Sequence, residues 1–149
     1  RLMEVVEDIY GSRSIAQVKQ AVSHLIDVLA EDERSQNEEN RVVIMAKAYI
    51  HEHYQDCTLS VSSIADELGI SSAYLSTQFK AETGQQLVKY ISWYRIERAR
   101  DLLTTTNVKV GEVAKKVGYL NTSYFISLFR NNMGCSPAKY RERVFKDEG

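Results

Sequence analysis

The chain carries one apolar pattern twice, and this repeat constrains its fold more than any other feature. The two copies read Ile64-Ala65-x-x-Leu68-Gly69-Ile70 with Tyr74-Leu75-x-x-x-Phe79-Lys80-x-x-x-Gly84, and Val113-Ala114-x-x-Val117-Gly118-Tyr119 with Tyr124-Phe125-x-x-x-Phe129-Arg130-x-x-x-Gly134. The offset is 49 residues from Ala65 to Ala114 and 50 from Phe79 to Phe129, so the second copy has one additional residue in its turn. A repeated pattern predicts a repeated supersecondary unit.

Each copy predicts two short helices joined by a tight turn. Apolar residues recur at spacings of three and four on both sides of Gly69 and Gly118, and glycine takes positive φ without a steric penalty. This is the helix-turn-helix pattern, whose second helix can enter the DNA major groove. Helical hairpins that serve only as core would use the same Ala, Leu and Phe residues. Two copies at a nearly constant offset favour DNA binding over that alternative.

The composition favours an all-α protein. The 149 residues are 44% hydrophobic and 26% charged, which fits one globular domain or two small subdomains rather than a disordered or fibrous chain. One proline and seven glycines leave few positions that would break a helix. We therefore predict two helix-turn-helix subdomains bridged by a long helix and preceded by an amphipathic linker helix.

The predicted domain organisation has two parts. Residues 1–40 form a helical linker and a candidate dimerisation or signalling segment, and residues 41–147 form a double helix-turn-helix DNA-binding domain. The latter divides into a first subdomain at 41–84, a bridging helix at 85–106 and a second subdomain at 107–147. We expect helices at about 41–54, 72–83, 86–105, 122–133 and 137–145.

The linker contains one helix whose apolar face has no assigned partner. A first helix is expected to end at Gly11, and Ser14 and Gln17 have the spacing of a capping box that starts a second. An apolar stripe follows, formed by Ile15, Val18, Val22, Leu25, Ile26 and Leu29. The stripe could pack on the repeats, on an upstream domain, or on a second copy, which would make residues 14–30 a homodimer seam. Residues 31–40 lack large apolar residues, and we expect a solvated hinge there, although a continuous polar helix would have the same sequence.

The formal net charge of −1 conceals an asymmetry along the chain. Residues 1–40 hold four basic and nine acidic residues, a net −5, whereas residues 41–149 hold fifteen basic and eleven acidic residues, a net +4. The basic part is the part with the repeats. A local basic footprint is what binding to DNA phosphates needs.

The stretch between the copies also favours DNA binding. Residues 86–105 contain no Gly or Pro, and a helix of about 20 residues spans about 30 Å. Successive major-groove segments on one face of B-DNA lie about 34 Å apart. A rigid helix of that length would hold two recognition helices in adjacent major-groove segments.

Each predicted recognition helix has one face left over once its core residues are assigned. We expect the inward residues to be Tyr74, Leu75 and Phe79 in the first helix, and Tyr124, Phe125, Leu128 and Phe129 in the second. The DNA-contact candidates on the opposite faces are Ser72, Ala73, Ser76, Thr77 and Lys80, and Asn121, Thr122, Ser123, Ser127, Arg130 and Asn131. Ile126 is a borderline position that could touch a thymine methyl group.

Most of these candidate side chains are small, which predicts methyl contacts, water bridges and recognition of DNA shape. Lys80 and Arg130 would contact phosphate or form surface salt bridges. The helix starts at Ser71-Ser72 and Asn121-Thr122 offer backbone N–H groups suited to phosphate. On the bridging helix, Arg95 and Arg98 would either approach the DNA backbone or pair with acidic residues, and we include Arg95 among the DNA-contact candidates.

Catalysis and metal binding have little support in the sequence. His51 and His53 lie two residues apart on a predicted helix and do not share a face, and no third ligand is spaced to join them. Cys57 and Cys135 have no evident catalytic partner and are expected to be free thiols in a reducing cytoplasm, with a disulfide as the alternative only if the fold brings them together. No apolar run of about 18 residues and no signal segment occurs. We expect no enzyme, no cofactor and no membrane partner, and, because the chain begins at Arg1, a piece of a longer protein.

Several separated motifs occur in a fixed order along the chain. They are Tyr74-Leu75-Ser76, Phe79-Lys80-x-x-x-Gly84, Arg95-Ile96-x-x-Ala99-x-x-Leu102-Leu103, Val113-Ala114-x-x-Val117-Gly118-Tyr119, Tyr124-Phe125-x-x-x-Phe129-Arg130 and Gly134-x-Ser136-Pro137-x-x-Tyr140-Arg141. Together they resemble the AraC/XylS family of bacterial transcription regulators, and the resemblance covers about residues 41–145. It implies a seven-helix double helix-turn-helix domain that binds promoter DNA and usually activates transcription through contact with RNA polymerase.

The resemblance extends to the segment before residue 41, but two positions of the recognition helices differ from the family pattern. Residues 1–40 resemble the linker of members that have an upstream receiver or other signalling domain. Members of the family often carry long Arg or Gln side chains where this chain has Thr77 and Ser127, which implies weaker direct base readout here. The alternative function is a helix-turn-helix protein-interaction module without DNA binding.

Overall fold

The computed structural model describes residues 15–147, without the side chains of residues 15–18 and 35–39. Across these residues the chain forms seven α-helices and no strand, so the predicted all-α class is confirmed. Both recognition helices have the predicted bounds. The helices are α1 (Ile15–His53), α2 (Val61–Leu68), α3 (Ser72–Thr83), α4 (Leu87–Thr105), α5 (Val110–Lys116), α6 (Thr122–Met133) and α7 (Pro137–Asp147).

The chain divides into two compact units, residues 1–41 and residues 42–149. In the first unit, Ala21 and Val28 are buried, whereas Val22, Ile26 and Leu29 are between 41% and 59% exposed. Part of the predicted apolar stripe therefore faces solvent. The predicted helix end at Gly11 and the capping box of Ser14 and Gln17 lie outside the described residues, as do the side chains of Ile15 and Val18.

The predicted hinge at residues 31–40 is wrong, because α1 is helical throughout this stretch. The stretch contains no Gly or Pro, and four of its ten residues are Glu, which has good intrinsic helix propensity. A segment without large apolar residues can therefore remain helical without a core to pack on. The alternative, a continuous polar helix, is the arrangement found.

The second unit contains two separate hydrophobic cores that share helix α4. The first core is built from Ala46 and Ile50 of α1, Ile64 and Ala65 of α2, Leu75 and Phe79 of α3, and Leu87, Tyr90 and Ile91 of α4. The second core is built from Ile96, Ala99 and Leu103 of α4, Val113 and Ala114 of α5, Val117, Tyr119, and Phe125 and Phe129 of α6. The two helix-turn-helix subdomains are therefore packed on opposite halves of one continuous helix.

Polar caps determine where the recognition helices begin. The Ser71 side chain accepts a hydrogen bond from the Tyr74 N–H at 3.1 Å, and the Asn121 side chain accepts one from the Tyr124 N–H at 3.0 Å. Each cap satisfies one of the free donors at the start of a helix. The additional residue of the second copy is Leu120, which lies in the turn just before Asn121 and is 75% exposed.

Candidate nucleic-acid interface

Helix α3 presents a continuous polar face opposite its core residues. Leu75 and Phe79 are fully buried. All five candidates of the first helix are exposed, namely Ser72, Ala73, Ser76, Thr77 and Lys80. The Thr77 hydroxyl donates a hydrogen bond to the Ala73 carbonyl at 2.9 Å. Because its proton is used within the helix, Thr77 can offer a base only its oxygen lone pairs and its methyl group.

Helix α6 presents the equivalent face in the second subdomain. Asn121, Ser123, Ser127, Arg130 and Asn131 are exposed, and Thr122 is half-buried. The carboxamide oxygen of Asn121 is already used as the helix cap, which leaves its NH2 group for a ligand. Within the described residues, the side chains of Ser127, Arg130 and Asn131 make no hydrogen bond or ion pair. These three are free to contact DNA.

Two predicted core residues are instead part of this surface. Tyr74 is 41% exposed and Tyr124 is 56% exposed, so the expectation that they point inward is wrong. Each precedes the buried residue of its helix by one position, which rotates it by about 100° away from the core. The Tyr124 ring packs edge-on against Tyr119 at 5.9 Å between centroids. Leu128, also predicted inward, and Ile126 are half-buried against the second core.

Arg95 does not reach the surface, and its inclusion among the DNA-contact candidates is wrong. Its side chain is 7% exposed. The Nε atom donates to the Tyr54 carbonyl at 3.0 Å, and Nη2 donates to the Asp56 carbonyl at 2.7 Å. Arg98 forms an ion pair with Asp101 at 3.1 Å, which is one of the two alternatives expected for it.

The two recognition helices flank the first turns of α4. One cleft of about 370 Å³ lies between Ser76, Thr77 and Lys80 of α3 and the start of α4. A second cleft of about 320 Å³ lies between Leu128 and Asn132 of α6 and the strip of Gln85, Val88, Lys89 and Ser92. Val88, which is 61% exposed, lines both clefts. Helices α3 and α6 therefore border one strip at the start of α4, α3 through its polar face and α6 through Leu128 and Asn132.

A further cluster of basic side chains lies beside α6, and sequence reasoning missed two of its members. Arg130 of α6 and Lys139 and Arg143 of α7 line a cleft of about 280 Å³, which we call the basic cleft, together with Gly134, Cys135 and Ser136. No ion pair is formed by these three side chains within the described residues. The missed signal is the spacing of Lys139 and Arg143, because residues four apart share one face of a helix.

The two candidate histidines have different surroundings. His51 Nε2 lies 2.9 Å from the Tyr90 hydroxyl, and its ring stacks on Tyr94 at 4.3 Å between centroids. His53 lies against the ring of Tyr49. Burial lowers the pKa of His51 below its usual value, and the positive charges of Arg98 and Lys47 lower it further. In the described part of the chain, no three His, Cys, Asp or Glu side chains cluster as metal ligands would, and no helix is long and apolar enough to span a bilayer.

Comparisons with known proteins agree with this architecture. The family model of a helix-turn-helix domain matches residues 64–143, more than half of the chain. The xylose operon regulatory protein of Escherichia coli strain K12 is 34% identical over 101 residues, which are 67% of this chain and 25% of that protein. The chain thus spans a quarter of that relative's length.

Two solved structures share the fold. The C-terminal domain of AraT, a response regulator from Geobacillus stearothermophilus, has a TM-score of 0.67 and 35% identity, over 68% of this chain and 84% of that chain. The DNA-binding domain of the global transcriptional factor AdpA, solved in complex with a target DNA, has a TM-score of 0.66 and 27% identity, over 72% of this chain and 97% of that chain. The family match, the relatives and the common fold show that the chain belongs to the AraC/XylS family of helix-turn-helix transcription regulators.

Proposed function

We propose that residues 41–147 bind promoter DNA by placing α3 and α6 in adjacent major-groove segments, and that residues 1–40 serve as a linker. The observation that carries this proposal is that both recognition helices border the same strip of α4 and that each exposes a polar face. Two reading surfaces joined in this way can engage one face of a duplex together. The AdpA domain, which shares the fold, is described as bound to a target DNA, and this supports the proposal.

The two recognition helices would read DNA by different means. On α6, Asn131 has free donors that can pair with an adenine edge, and Ser123 and Ser127 expose hydroxyls that can contact several bases. On α3, the contacts come from Ser72, Ala73 and Ser76 and from the Thr77 methyl group, which discriminate less sharply between bases. We therefore propose that α6 and its neighbours supply most of the direct readout, and that α3 depends more on DNA shape and bridging water.

Phosphate binding would be concentrated around the second recognition helix. Lys139 and Arg143 lie in the basic cleft beside Arg130, where one strand of a duplex lying along α6 would pass. The first turn of α4 adds backbone N–H groups, because its cap residue Gln86 makes no side-chain cap hydrogen bond. Lys80 and Lys89 would contact phosphates between the two half-sites.

The regulatory context belongs to the whole protein, and we propose it on the relatives' descriptions. AraT is described as a response regulator, which supports an upstream receiver domain as the source of the input signal. Exposed Val22, Ile26 and Leu29 support residues 14–30 as a homodimer seam. We further propose that the protein acts in the bacterial cytoplasm, contacts RNA polymerase and activates transcription.

The test is a selection of duplexes from a randomised pool by the purified chain, followed by anisotropy titrations of the enriched sites at several salt concentrations. We expect two short half-sites about one helical turn apart and an affinity that falls steeply with salt. A chain that enriches no sequence and shows no salt-dependent binding would instead act as a protein-interaction module. Arg98→Ala, which removes a surface arginine already paired with Asp101, provides a matched control that should bind normally.

A further inference from the structure

The junction between the two subdomains is built around one buried arginine. Arg95 lies on α4 between Ile91, which packs in the first core, and Ile96, which packs in the second. Its guanidinium donates to the carbonyls of Tyr54 and Asp56, in the segment between α1 and α2. The same guanidinium lies 5.2 Å from the ring centre of Tyr119, in the turn of the second subdomain. One side chain therefore contacts the backbone of one subdomain and an aromatic face of the other.

The turn of the second subdomain is pressed against this arginine at Gly118. A Cβ atom added to Gly118 would lie 2.5 Å from the Tyr54 carbonyl oxygen and 3.0 Å from Arg95 Cζ. At the matching glycine of the first copy, Gly69, the same added atom would meet nothing within 4 Å. Both glycines have positive φ, which explains why each turn uses glycine. Only at Gly118 does close packing between the subdomains also require it.

Tyr54 adds a second contact between the two subdomains. Although it follows α1, its ring packs against the second core, and it also lies edge-on to Tyr94, which packs on the first core, at 5.3 Å between ring centroids. A buried guanidinium needs hydrogen-bond acceptors, because a charge without partners is costly in a protein interior. These acceptors and the Tyr119 ring are in place only when the subdomains have one particular relative orientation. The junction therefore disfavours other orientations.

We propose that Arg95, with Gly118 packed against it, is a positioning residue that holds α3 and α6 at a defined separation and so sets the distance between the two half-sites that the protein accepts. This inference rests on the proposed DNA-binding function. We call this contact of Arg95 with Gly118 and Tyr54 the clamp. Without the clamp, the subdomains could shift about α4, and the protein would tolerate half-sites at several separations. The clamp thus contributes specificity without contacting a base.

The first experiment measures the affinity of the 149-residue chain for its selected site and for duplexes with one base pair removed or with one or two added between the half-sites. For the unmodified chain we expect each change to weaken binding by about tenfold or more, as a misplaced contact does in a specific site. For Arg95→Met we expect the difference between spacings to shrink to about threefold. Arg95→Lys, which retains one donor group, should be intermediate. Equal affinity of the unmodified chain for all spacings would overturn the proposal.

Matched variants distinguish the specific loss of the clamp from a general loss of stability. Gly118→Ala should relax spacing discrimination as Arg95→Met does, whereas Gly69→Ala, strained in φ but free of clashes, should leave it unchanged. Arg98→Met replaces a half-buried arginine on the same helix that pairs with Asp101 and, among the described residues, makes no contact with the second subdomain's turn, and should also leave it unchanged. Far-ultraviolet circular dichroism confirms which variants are folded. Loss of discrimination in Gly69→Ala or Arg98→Met to the same extent would contradict a specific role for Arg95.

A second measurement needs no DNA and keeps the clamp testable if a variant binds poorly. Spin labels at Ala81→Cys in α3 and Asn132→Cys in α6, with exposed Cys57 replaced by serine, report the distance between the recognition helices. We expect a single narrow distribution that broadens in Arg95→Met, and equal widths would overturn the clamp. If the unmodified chain binds no duplex, the proposed function fails and the claim about half-sites fails with it, while these distances still decide whether Arg95 orients the subdomains.

Discussion

The two helix-turn-helix subdomains share a sequence pattern but differ in charge. Residues 41–84 hold three basic and five acidic residues, a net −2, whereas residues 107–147 hold eight basic and three acidic residues, a net +5. Their cores use the same positions of the repeat, with Leu75 and Phe79 in one and Phe125 and Phe129 in the other. Core positions are therefore matched while surface positions have diverged. The repeat specifies the fold of each subdomain, and the higher positive charge of the second supports the proposal that it makes most of the phosphate contacts.

The largest expected effect tests the equivalence of the two cores. Phe79 and Phe129 occupy matching positions, and both are fully buried. We expect Phe79→Ala and Phe129→Ala each to reduce the free energy of unfolding by about 3–5 kcal/mol, because each leaves a large cavity. Urea unfolding followed by circular dichroism measures both. A loss below about 1 kcal/mol in either variant would mean that the two cores are not equivalent.

The next largest effect is a difference in stability between variants of the two turn glycines, Gly69 and Gly118. Gly69→Ala should destabilise the protein by about 1–2 kcal/mol, the cost of placing a side chain at positive φ. Gly118→Ala should cost about 1–3 kcal/mol more, since its methyl group meets the Tyr54 carbonyl and Arg95. Thermal and urea unfolding of the two variants under identical conditions provide the comparison. Equal destabilisation would show that the junction adjusts to the additional atom.

The third prediction concerns the unequal charge. Replacing both Lys139 and Arg143 with alanine should lower the slope of log affinity against log salt by about 2, if each neutralises one phosphate. Arg130→Ala and Lys80→Ala should each lower it by about 1. Lys146→Ala, which removes a lysine that lies 3.8 Å from Glu142, is the control and should leave the slope unchanged. An unaltered slope in the double variant would remove the basic cleft from the interface.

The smallest effect concerns pH and is confined to the first subdomain. Residues 107–147 contain no histidine, whereas His51 packs on Tyr90 and Tyr94 and has a lowered pKa. Because the unfolded chain binds the proton more tightly than the folded chain, stability should fall as pH decreases below about 6.5. We expect a slightly lower melting temperature at pH 5.5 than at pH 7.5.

A histidine pair provides the control for this pH effect. His51→Gln should reduce the difference in melting temperature between the two pH values, and His53→Gln should retain it. An identical melting temperature at both pH values in the unmodified chain would show that His51 is not coupled to folding. The same shift in His51→Gln as in the unmodified chain would assign it to other groups.

Local sequence signals predicted the two recognition helices well, and the errors had separate causes. The bounds of α3 and α6 follow from apolar spacing and from the caps Ser71 and Asn121, all within a few residues of each helix. The predicted hinge at residues 31–40 failed because a lack of apolar residues does not by itself end a helix. Tyr74 and Tyr124 were placed inward because a one-residue shift around a helix is hard to distinguish in a pattern of apolar residues.

The sequence alone determined the all-α class, the doubled helix-turn-helix and the polar faces of its recognition helices, because these depend on periodicity and turn chemistry within short segments. Tertiary structure alone decided the burial of Arg95 and the grouping of Arg130, Lys139 and Arg143. Arginine is a residue type that often contacts DNA. The guanidinium of Arg95 instead donates hydrogen bonds to backbone carbonyls about 40 positions earlier in the chain. Such partners are brought together by the packing of whole helices, which no local pattern records.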